Sequence, residues 1–342
     1  MEMQGTPPSF IERYFKIREK GSSVRTELIA GLTTFIAMAY ILFVNPNILA
    51  DAGIPKDAAI ASTIWIAALA SMAMGVFANY PVALAPGMGL NAFFAYYVCG
   101  VLGLHWTVAL GAVFFSGVLF LILTVGGIRQ AIINAVPRDL KLAISVGIGL
   151  FIAFIGLKGT GLIVENSATY VSLGHVTAPT TLLSLFGLLF TAALMARNVH
   201  GSILIGIFVT TILAMILGMT PAPKGITDIV STSLPHMGET FGQLDLAGAW
   251  NYGLVSIIFT FTVVELFDNM GTLIGLTTKA KMVKPDGHIE NIDKALTTDA
   301  VGTMVSAVFG TSTVTSYIES AAGIAAGGRT GLTALAAGVL FL

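Results

Sequence analysis

The chain contains little charge and a single cysteine. Of its 342 residues only 10% are charged, and the formal net charge is −1. Soluble domains usually carry about 25% charged residues, so this composition excludes an ordinary soluble protein, and the balanced charge gives no indication of a nucleic-acid partner. Cys99 has no second cysteine with which to form a disulfide, and we interpret it as a packing residue.

The sequence also lacks the marks of an enzyme, a metal site and a secretory signal. It contains no HExxH zinc motif and no GxSxG nucleophile motif. Its five histidines have no metal-ligand spacing, so we expect no metal and no cofactor. The first 24 residues are polar and of mixed charge, unlike a cleavable signal, and we expect them to form a cytoplasmic tail.

Apolar sequence dominates the rest of the chain. Hydrophobic residues make up 55% of it, and the mean hydropathy is +0.87. A helix needs about 20 apolar residues to cross a bilayer. Runs of this kind occur at about 28–49, 57–79, 105–125, 137–157, 180–197, 199–219, 252–277 and 294–310, and a last, shorter run spans 331–342. The sequence therefore predicts an all-α polytopic membrane protein.

The distribution of positive charge predicts the orientation of these spans. With the N-terminus in the cytoplasm, all but three of the 17 Lys and Arg residues fall on the inner side, as the positive-inside rule requires. The exceptions are Lys56, Lys158 and Lys224. This agreement holds only if two further segments, about 80–100 and 311–328, also cross. We expect the protein to lie in a plasma or inner membrane.

These two further segments are broken by residues that end helices. The first has Pro and Gly between an extended piece at 81–85 and a short helix from about Asn91. The second alternates β-branched residues with Ser and Thr before a short helix near Tyr317. Such backbone needs hydrogen-bond partners at membrane depth, so we expect the two extended pieces to pair as antiparallel strands. Broken spans at matching positions indicate an inverted repeat with a binding site near the membrane midplane.

Two acids lie one turn apart in the apolar run 252–277. A charge at this depth costs roughly 2.5 to 3.5 kcal/mol on insertion scales. The spacing of Glu265 and Asp268 places both on one helical face, which Asn269 and Thr272 extend. The helix is therefore predicted to turn a polar stripe toward a protein interior or a water-filled cavity.

Several strings resemble a known family. They are VNPNIL near Asn45, APGMGLNAFFA from Ala85, ELFDNMGT from Glu265, KALTTDA from Lys294 and GTSTVTSYIESAAGIAAGGRTGLTA from Gly310. Together they resemble the purine permeases of the nucleobase cation symporter-2 (xanthine/uracil permease) superfamily, in particular the adenine, guanine and hypoxanthine branch.

The resemblance implies a uracil-permease-like fold of two inverted repeats, each of seven transmembrane segments, divided into core and gate domains. It predicts a tail at 1–24, the first part of the core at 25–126, half of the gate at 127–249 and the second part of the core at 250–342. Relatives continue through segments 12 to 14, so we expect the chain to stop within segment 11. The family also suggests a homodimer.

The resemblance also implies a set of site residues. A purine nucleobase would bind among Asn91 on segment 3, Glu265 and Asp268 on segment 8, and Glu319 on segment 10. Phe93, Phe94 and Tyr317 flank this set and are candidates for stacking on the base. The proton is the expected coupling ion, and Glu265 is the expected coupling residue.

The chemistry of these side chains agrees with a purine. Carboxylates accept hydrogen bonds from ring N–H groups, and an amide both donates and accepts. Asp268 lies about 4.5 Å nearer the cytoplasm than Glu265 at a helical rise of about 1.5 Å per residue. Because Glu265 falls near the middle of its span, we assign the proton to Glu265, and substrate recognition or helix positioning to Asp268.

Each residue also has a purely structural interpretation. Glu319 follows Ser316 by three residues, as in a capping box. Asn91 could serve to hydrogen-bond the backbone groups that the Pro-Gly break leaves without helical partners. Asp268 could serve to bond nearby Thr or Ser hydroxyl groups. For Glu265 the alternative is an internal ion pair, but the predicted core spans contain no Lys or Arg apart from Lys294, the first residue of the run 294–310.

Two other classes of protein agree less well with these residues. An intramembrane aspartyl protease carries its acids on different helices, whereas these two share one. An anion transporter or channel of the same fold is expected to place cationic or neutral groups at the half-helix N-termini, and three acids oppose that. The sequence therefore predicts a proton-coupled importer of purine nucleobases.

Overall fold

The computed structural model describes residues 9–126, 137–199, 201–223, 225, 236–251, 255–284 and 289–342. Some features named above lie outside these ranges. They are the start of the predicted span 252–277, the beginning of the predicted gate region at 127–136, Arg129 and Lys224, and two of the histidines, His200 and His288.

The described part of the chain is mostly helical. Its first half contains α1 (Phe10–Phe15), α2 (Val24–Met38), α3 (Ile41–Asp51), α4 (Lys56–Ala73), β1 (Leu84–Pro86), α5 (Met88–Ala92) and α6 (Trp106–Val125). Then follow α7 (Arg138–Gly159), β2 (Ile163–Asn166), β3 (Tyr170–Leu173), α8 (Pro179–Ala196) and α9 (Ser202–Ile216). The last part contains α10 (Leu246–Asn251), α11 (Val255–Lys279), α12 (Ile292–Phe309), β4 (Val314–Ser316), α13 (Ser320–Ala325) and α14 (Gly331–Phe341). Helices α4 and α5 continue as π-helix over Met74–Ala78 and Phe93–Val101.

Five helical segments of this part are long and apolar enough to cross a membrane. They are Val24–Asp51, Lys56–Ala78, Trp106–Val125, Pro179–Ala196 and Val255–Lys279. Shorter apolar helices, among them Met88–Val101 and Ser202–Ile216, accompany them. The prediction of a helical, multi-pass membrane protein is confirmed.

The predicted strand pair between the two broken segments is confirmed. Strands β1 and β4 are antiparallel, with Leu84 opposite Ser316 and Pro86 opposite Val314. Backbone hydrogen bonds continue the pairing at both ends, from Gly87 N to Thr313 O at 2.8 Å and from Tyr317 N to Ala83 O at 3.0 Å. The backbone polar groups of these irregular segments are thus satisfied by protein, as burial requires.

The neighbouring helices supply further partners for the strands. The Ser71 hydroxyl of α4 lies 2.9 Å from both the amide nitrogen and the carbonyl oxygen of Leu84 in β1. The Thr303 hydroxyl of α12 lies 3.2 Å from the amide nitrogen and 3.3 Å from the carbonyl oxygen of Val314 in β4. The Ser71 hydroxyl thus connects β1 to α4, and the Thr303 hydroxyl connects β4 to α12.

The short helices after the strands differ from the predicted starts. Helix α5 begins at Met88 instead of about Asn91, and α13 begins at Ser320 instead of near Tyr317. In the second segment the strand pairing extends through Tyr317 N, so the backbone cannot become helical earlier. The structure also has an unpredicted hairpin of β2 and β3.

The core packs around the strand pair. One buried apolar cluster joins residues of α4, α11 and α12 with Leu84 and Val314 of the two strands. A second cluster joins α3, α5, α6 and α11. Helix α14 packs against α2 and α4, and Gly75 and Gly331 lie so close that a Cβ on Gly331 would stand 2.0 Å from the Gly75 carbonyl oxygen. The strands and α11 therefore hold the site residues within a closely packed scaffold.

Candidate functional site

Glu265 lies on the buried face of α11, and its side chain is fully buried. The Thr303 hydroxyl donates to its Oε1, and the Ser116 hydroxyl donates to its Oε2 at 3.3 Å. Thr303 also bonds the backbone of β4, so the carboxyl group is linked through one hydroxyl to a strand of the broken segment. Both hydrogen bonds to the Glu265 carboxyl group come from hydroxyl groups. Glu265 forms no ion pair with any of the described residues.

Asp268 and Asn269 connect α11 to β4. The Thr315 hydroxyl lies 3.1 Å from Asp268 Oδ2 and 3.1 Å from Asn269 Oδ1, which also accepts the Ser316 amide at 2.8 Å. Asp268 is exposed, whereas Asn269 is fully buried. Asn269 therefore fixes the strand, and Asp268 presents a carboxylate at the protein surface beside it.

A third acid, Asp299, belongs to this group and was not singled out from the sequence. It lies on α12, is fully buried, and its Oδ2 accepts a hydrogen bond from Asn269 Nδ2. Its Oδ1 has no partner among the described residues. The signal was present in KALTTDA, where an acid interrupts a span otherwise suited to a membrane.

Glu319 lies just before α13, where the second broken segment becomes helical. Its side chain is half-buried, and its Oε1 accepts a hydrogen bond of 2.6 Å from the Tyr40 hydroxyl. Tyr40 stands at the interruption between α2 and α3. The Ser316 hydroxyl has no partner among the described residues, so the capping box with Glu319 is not formed.

Three other predicted residues lie within the packed interior. The amide of Asn91 is fully buried between Asn45, to which it donates, and Ser312, from which it accepts. Tyr317 is buried and donates its hydroxyl to the Pro86 carbonyl at 2.6 Å, across the strand pair. Phe94 is fully buried in the apolar cluster around α5 and α6. The structure thus groups Glu265 and Asp268 around β4, places Glu319 just beyond it, and puts Asn91 in a separate amide network.

An apolar cavity of about 330 Å³ lies between α5, α7 and α11. Its lining residues include Leu90, Phe93, Tyr97, Phe151, Thr260 and Val264.

Aromatic rings form one wall of this cavity. Phe93 stacks on Tyr97, with ring centroids 5.1 Å apart and an interplanar angle of 14°. Thr260, Val264 and Asp268 are spaced by four residues and so share a face of α11. Aromatic lining residues and an exposed carboxylate one turn beyond the cavity suit a planar, N–H-bearing ligand.

Comparison with solved structures defines the class of fold. The transmembrane domain of the cyanobacterial bicarbonate transporter BicA matches with a TM-score of 0.64 and 15% identity, covering 93% of this chain and 81% of that one. The murine anion transporter Slc26a9, in its inward-facing state, matches with a TM-score of 0.62 and 10% identity, covering 99% of this chain and 61% of that one. At such low identity the likeness shows the fold alone, which is that of a membrane transporter.

The sequence itself matches the Permease family over residues 25–342. The Escherichia coli adenine permease AdeP is 46% identical over 99% of this chain and 75% of its own length. The Bacillus subtilis guanine/hypoxanthine permease PbuO is 43% identical over 96% of this chain and 76% of its own length. The chain belongs to the Permease family and is a transporter rather than an enzyme, which confirms the resemblance drawn from its motifs.

Proposed function

We propose that the protein imports purine nucleobases, guanine and hypoxanthine or adenine, by proton symport and alternating access. The observation that carries this proposal is the group of carboxylates around β4 beside an aromatic-walled cavity. Relatives named adenine permease and guanine/hypoxanthine permease share more than two fifths of their matched residues with this chain, which supports the choice of a purine.

Recognition of the base is assigned to the accessible carboxylates. Asp268 is exposed and Glu319 is half-buried, so both can accept N–H groups of an incoming ring. Phe93 lines the cavity, and an aromatic contact with the base is worth about 1 kcal/mol. Asn91, Phe94 and Tyr317 then shape the site from behind through packing and through their hydrogen bonds to neighbouring segments.

Proton coupling is assigned to Glu265. A buried carboxylate without a cation is costly, and the described contacts of Glu265 are two hydroxyl groups. Hydroxyl groups can donate to a carboxylate and can accept from a carboxylic acid. The surroundings of Glu265 thus suit both protonation states, as a group that loads and releases a proton requires.

The arrangement of the strands and helices supports two inverted repeats of seven segments. Ser71 holds β1 on α4 in the way that Thr303 holds β4 on α12. Helix α14 packs on α2 and α4, and α6 correspondingly packs on α11 and α12. We assign 25–126 and 250–342 to the core domain and 127–249 to the gate domain, with transport arising from movement of one against the other.

Membrane placement and assembly complete the proposal. The excess of Lys and Arg on one side of the spans supports a plasma or inner membrane with the N-terminus in the cytoplasm. A homodimer is proposed from the family resemblance. The alternative of an anion transporter or channel draws on the likeness to BicA and Slc26a9, and the acidic character of the site speaks against it.

Calorimetry on the purified protein in lipid nanodiscs tests the substrate class. Hypoxanthine, guanine and adenine are titrated separately, with uracil as a pyrimidine control and bicarbonate as an anion control. We expect saturable binding of at least one purine that is lost in Glu319→Ala. Binding of bicarbonate but of no purine would favour the anion alternative.

A further inference from the structure

A polar cavity of about 370 Å³ lies at the end of the helix bundle where α11 stops. It is enclosed by Glu19 and Lys20 of the N-terminal tail, by residues 280–284 and Glu290 after α11, and by Arg329 in the turn between α13 and α14. Its charged lining residues are Glu19, Lys20, Lys281, Lys284, Glu290 and Arg329. This cavity is separate from the residues around β4 and has no part in the proposed transport step.

The lining carries more positive than negative charge. Among the described residues, the lining has four cationic side chains and two carboxylates, and the buried carboxyl group of Glu27 lies behind Arg329. Among the residues that the structure describes, none of the four cations forms an ion pair, although Arg18 and Glu12 do so nearby in the same tail. The cavity is therefore attractive to an anion.

One of the cations, Arg329, is held in place by hydrogen bonds, and a second, Lys20, is partly buried. Arg329 donates through one guanidinium nitrogen to the carbonyl oxygens of Ile324 and Gly328, both at 2.7 Å, and its backbone amide donates to Glu27 at 2.9 Å. Lys20 is half-buried, and burial lowers its pKa even though Glu290 and Glu27 favour its charged form. A guanidinium group that is fixed in position, together with a lysine whose charge is not fully balanced by nearby carboxylates, is typical of a site for an anionic ligand.

We propose that this cavity binds the phosphate group of an anionic ligand. Arg and Lys side chains make charge-assisted hydrogen bonds to phosphate oxygens, and basic pockets at the ends of membrane helices bind lipid headgroups. A lipid of the surrounding bilayer and a soluble phosphate ester present the same group. A bound phosphate would connect the end of α11, which carries Glu265 and Asp268, to the turn after α13, the helix that follows Glu319.

Thermal unfolding in nanodiscs tests the proposal and separates the two sources. In one arm the nanodiscs contain phosphatidylcholine alone or with phosphatidic acid, and in the other glycerol 3-phosphate is titrated into phosphatidylcholine nanodiscs. We expect the unfolding midpoint to rise with at least one of these ligands. A response to phosphatidic acid alone identifies a lipid site, and a response to both identifies a phosphate site open to solvent.

Variants decide whether the effect arises in this cavity. The double variant Lys281→Gln/Lys284→Gln is expected to weaken the apparent affinity about thirtyfold, since each of the two basic residues near a membrane surface contributes on the order of 1 kcal/mol and about 1.4 kcal/mol corresponds to a factor of ten. Both residues are exposed, so the unliganded midpoint should stay unchanged. The matched control is Lys294→Gln, an exposed lysine at the start of α12, at the same end of the bundle but outside this cavity. A missing shift, an unweakened double variant or an equal loss in the control would overturn the proposal.

Discussion

The Tyr40 hydroxyl donates a hydrogen bond of 2.6 Å to Oε1 of Glu319. This contact joins the interruption between α2 and α3 to the point where the second broken segment becomes helical. A carboxylate that accepts from Tyr40 through one oxygen keeps its second oxygen for another donor. Tyr40 is therefore placed to fix the orientation in which Glu319 meets a ligand.

Tyr40→Phe should weaken purine binding by about tenfold, because a hydrogen bond to a charged group contributes roughly 1.5 to 3 kcal/mol. The ring remains, so folding should be retained. Dissociation constants from calorimetry measure the effect. The matched control is Tyr14→Phe, which should leave binding unchanged. Among the described residues, the Tyr14 hydroxyl bonds only the Val76 carbonyl oxygen, at the end of α4. Unaltered affinity in Tyr40→Phe would show that the hydrogen bond from Tyr40 to Glu319 does not contribute to purine binding.

Glu265→Gln should abolish proton-driven accumulation while preserving exchange of labelled for unlabelled base. Ser116 and Thr303 bond different oxygens of Glu265. Glutamine keeps one oxygen that accepts from one of these hydroxyl groups and offers an NH2 group to the oxygen of the other, but it cannot exchange a proton. Proteoliposomes with and without an imposed pH gradient separate the two activities. Glu165→Gln, an exposed acid on β2, is the control. Accumulation that still follows the pH gradient in Glu265→Gln would assign coupling to another residue.

Asn269→Ala should lower the thermal stability of the protein as well as its transport. The amide of Asn269 accepts the Ser316 amide and donates to Asp299, and each buried group left without a partner costs about 1 to 3 kcal/mol. Asn47→Ala is the matched control, because within the described part of the chain the exposed Asn47 amide of α3 bonds only the Phe43 carbonyl. Equal unfolding midpoints for the two variants would contradict the role assigned to Asn269.

Gly331→Ala should destabilise the packing of α14 against the end of α4. The added Cβ would lie 2.0 Å from the Gly75 carbonyl oxygen, and overpacking typically costs about 1 to 3 kcal/mol. At Gly147 of α7 nothing lies within 4 Å of an added Cβ, so Gly147→Ala should be neutral or slightly stabilising. Thermal unfolding of both variants in detergent measures the difference, and a stable Gly331→Ala protein would contradict the close approach.

Much of the fold could be predicted because its signals are local. Apolar runs of membrane length identify the spans, and Pro86 and Gly87 mark the first broken segment directly. The interruption at Tyr40 has no such mark, since it falls within an apolar run and precedes Pro46 by six residues. The register of β1 with β4 depends on partners far apart in the chain, and local patterns do not contain it.

The sequence predicts only part of the candidate site, because helical spacing does not show which side chains are buried. Residues three apart on a helix differ by about 60° in direction at 3.6 residues per turn, which is enough for Glu265 to be buried while Asp268 is exposed. Adjacent residues of a helix also point in different directions, so Phe93 lines the cavity while Phe94 packs inside. The neighbouring helices decide which side of α5 or α11 faces the interior. The residue pattern within each helix does not decide it.

The most direct test of the account is uptake of labelled hypoxanthine, guanine and adenine by purine-transport-deficient cells that express the protein, measured at two pH values with surface expression verified. The account predicts saturable uptake of at least one of these bases, faster at the lower external pH and inhibited by the unlabelled base. Absence of purine uptake with the protein present in the membrane, or uptake that is independent of pH and of the proton gradient, would contradict it.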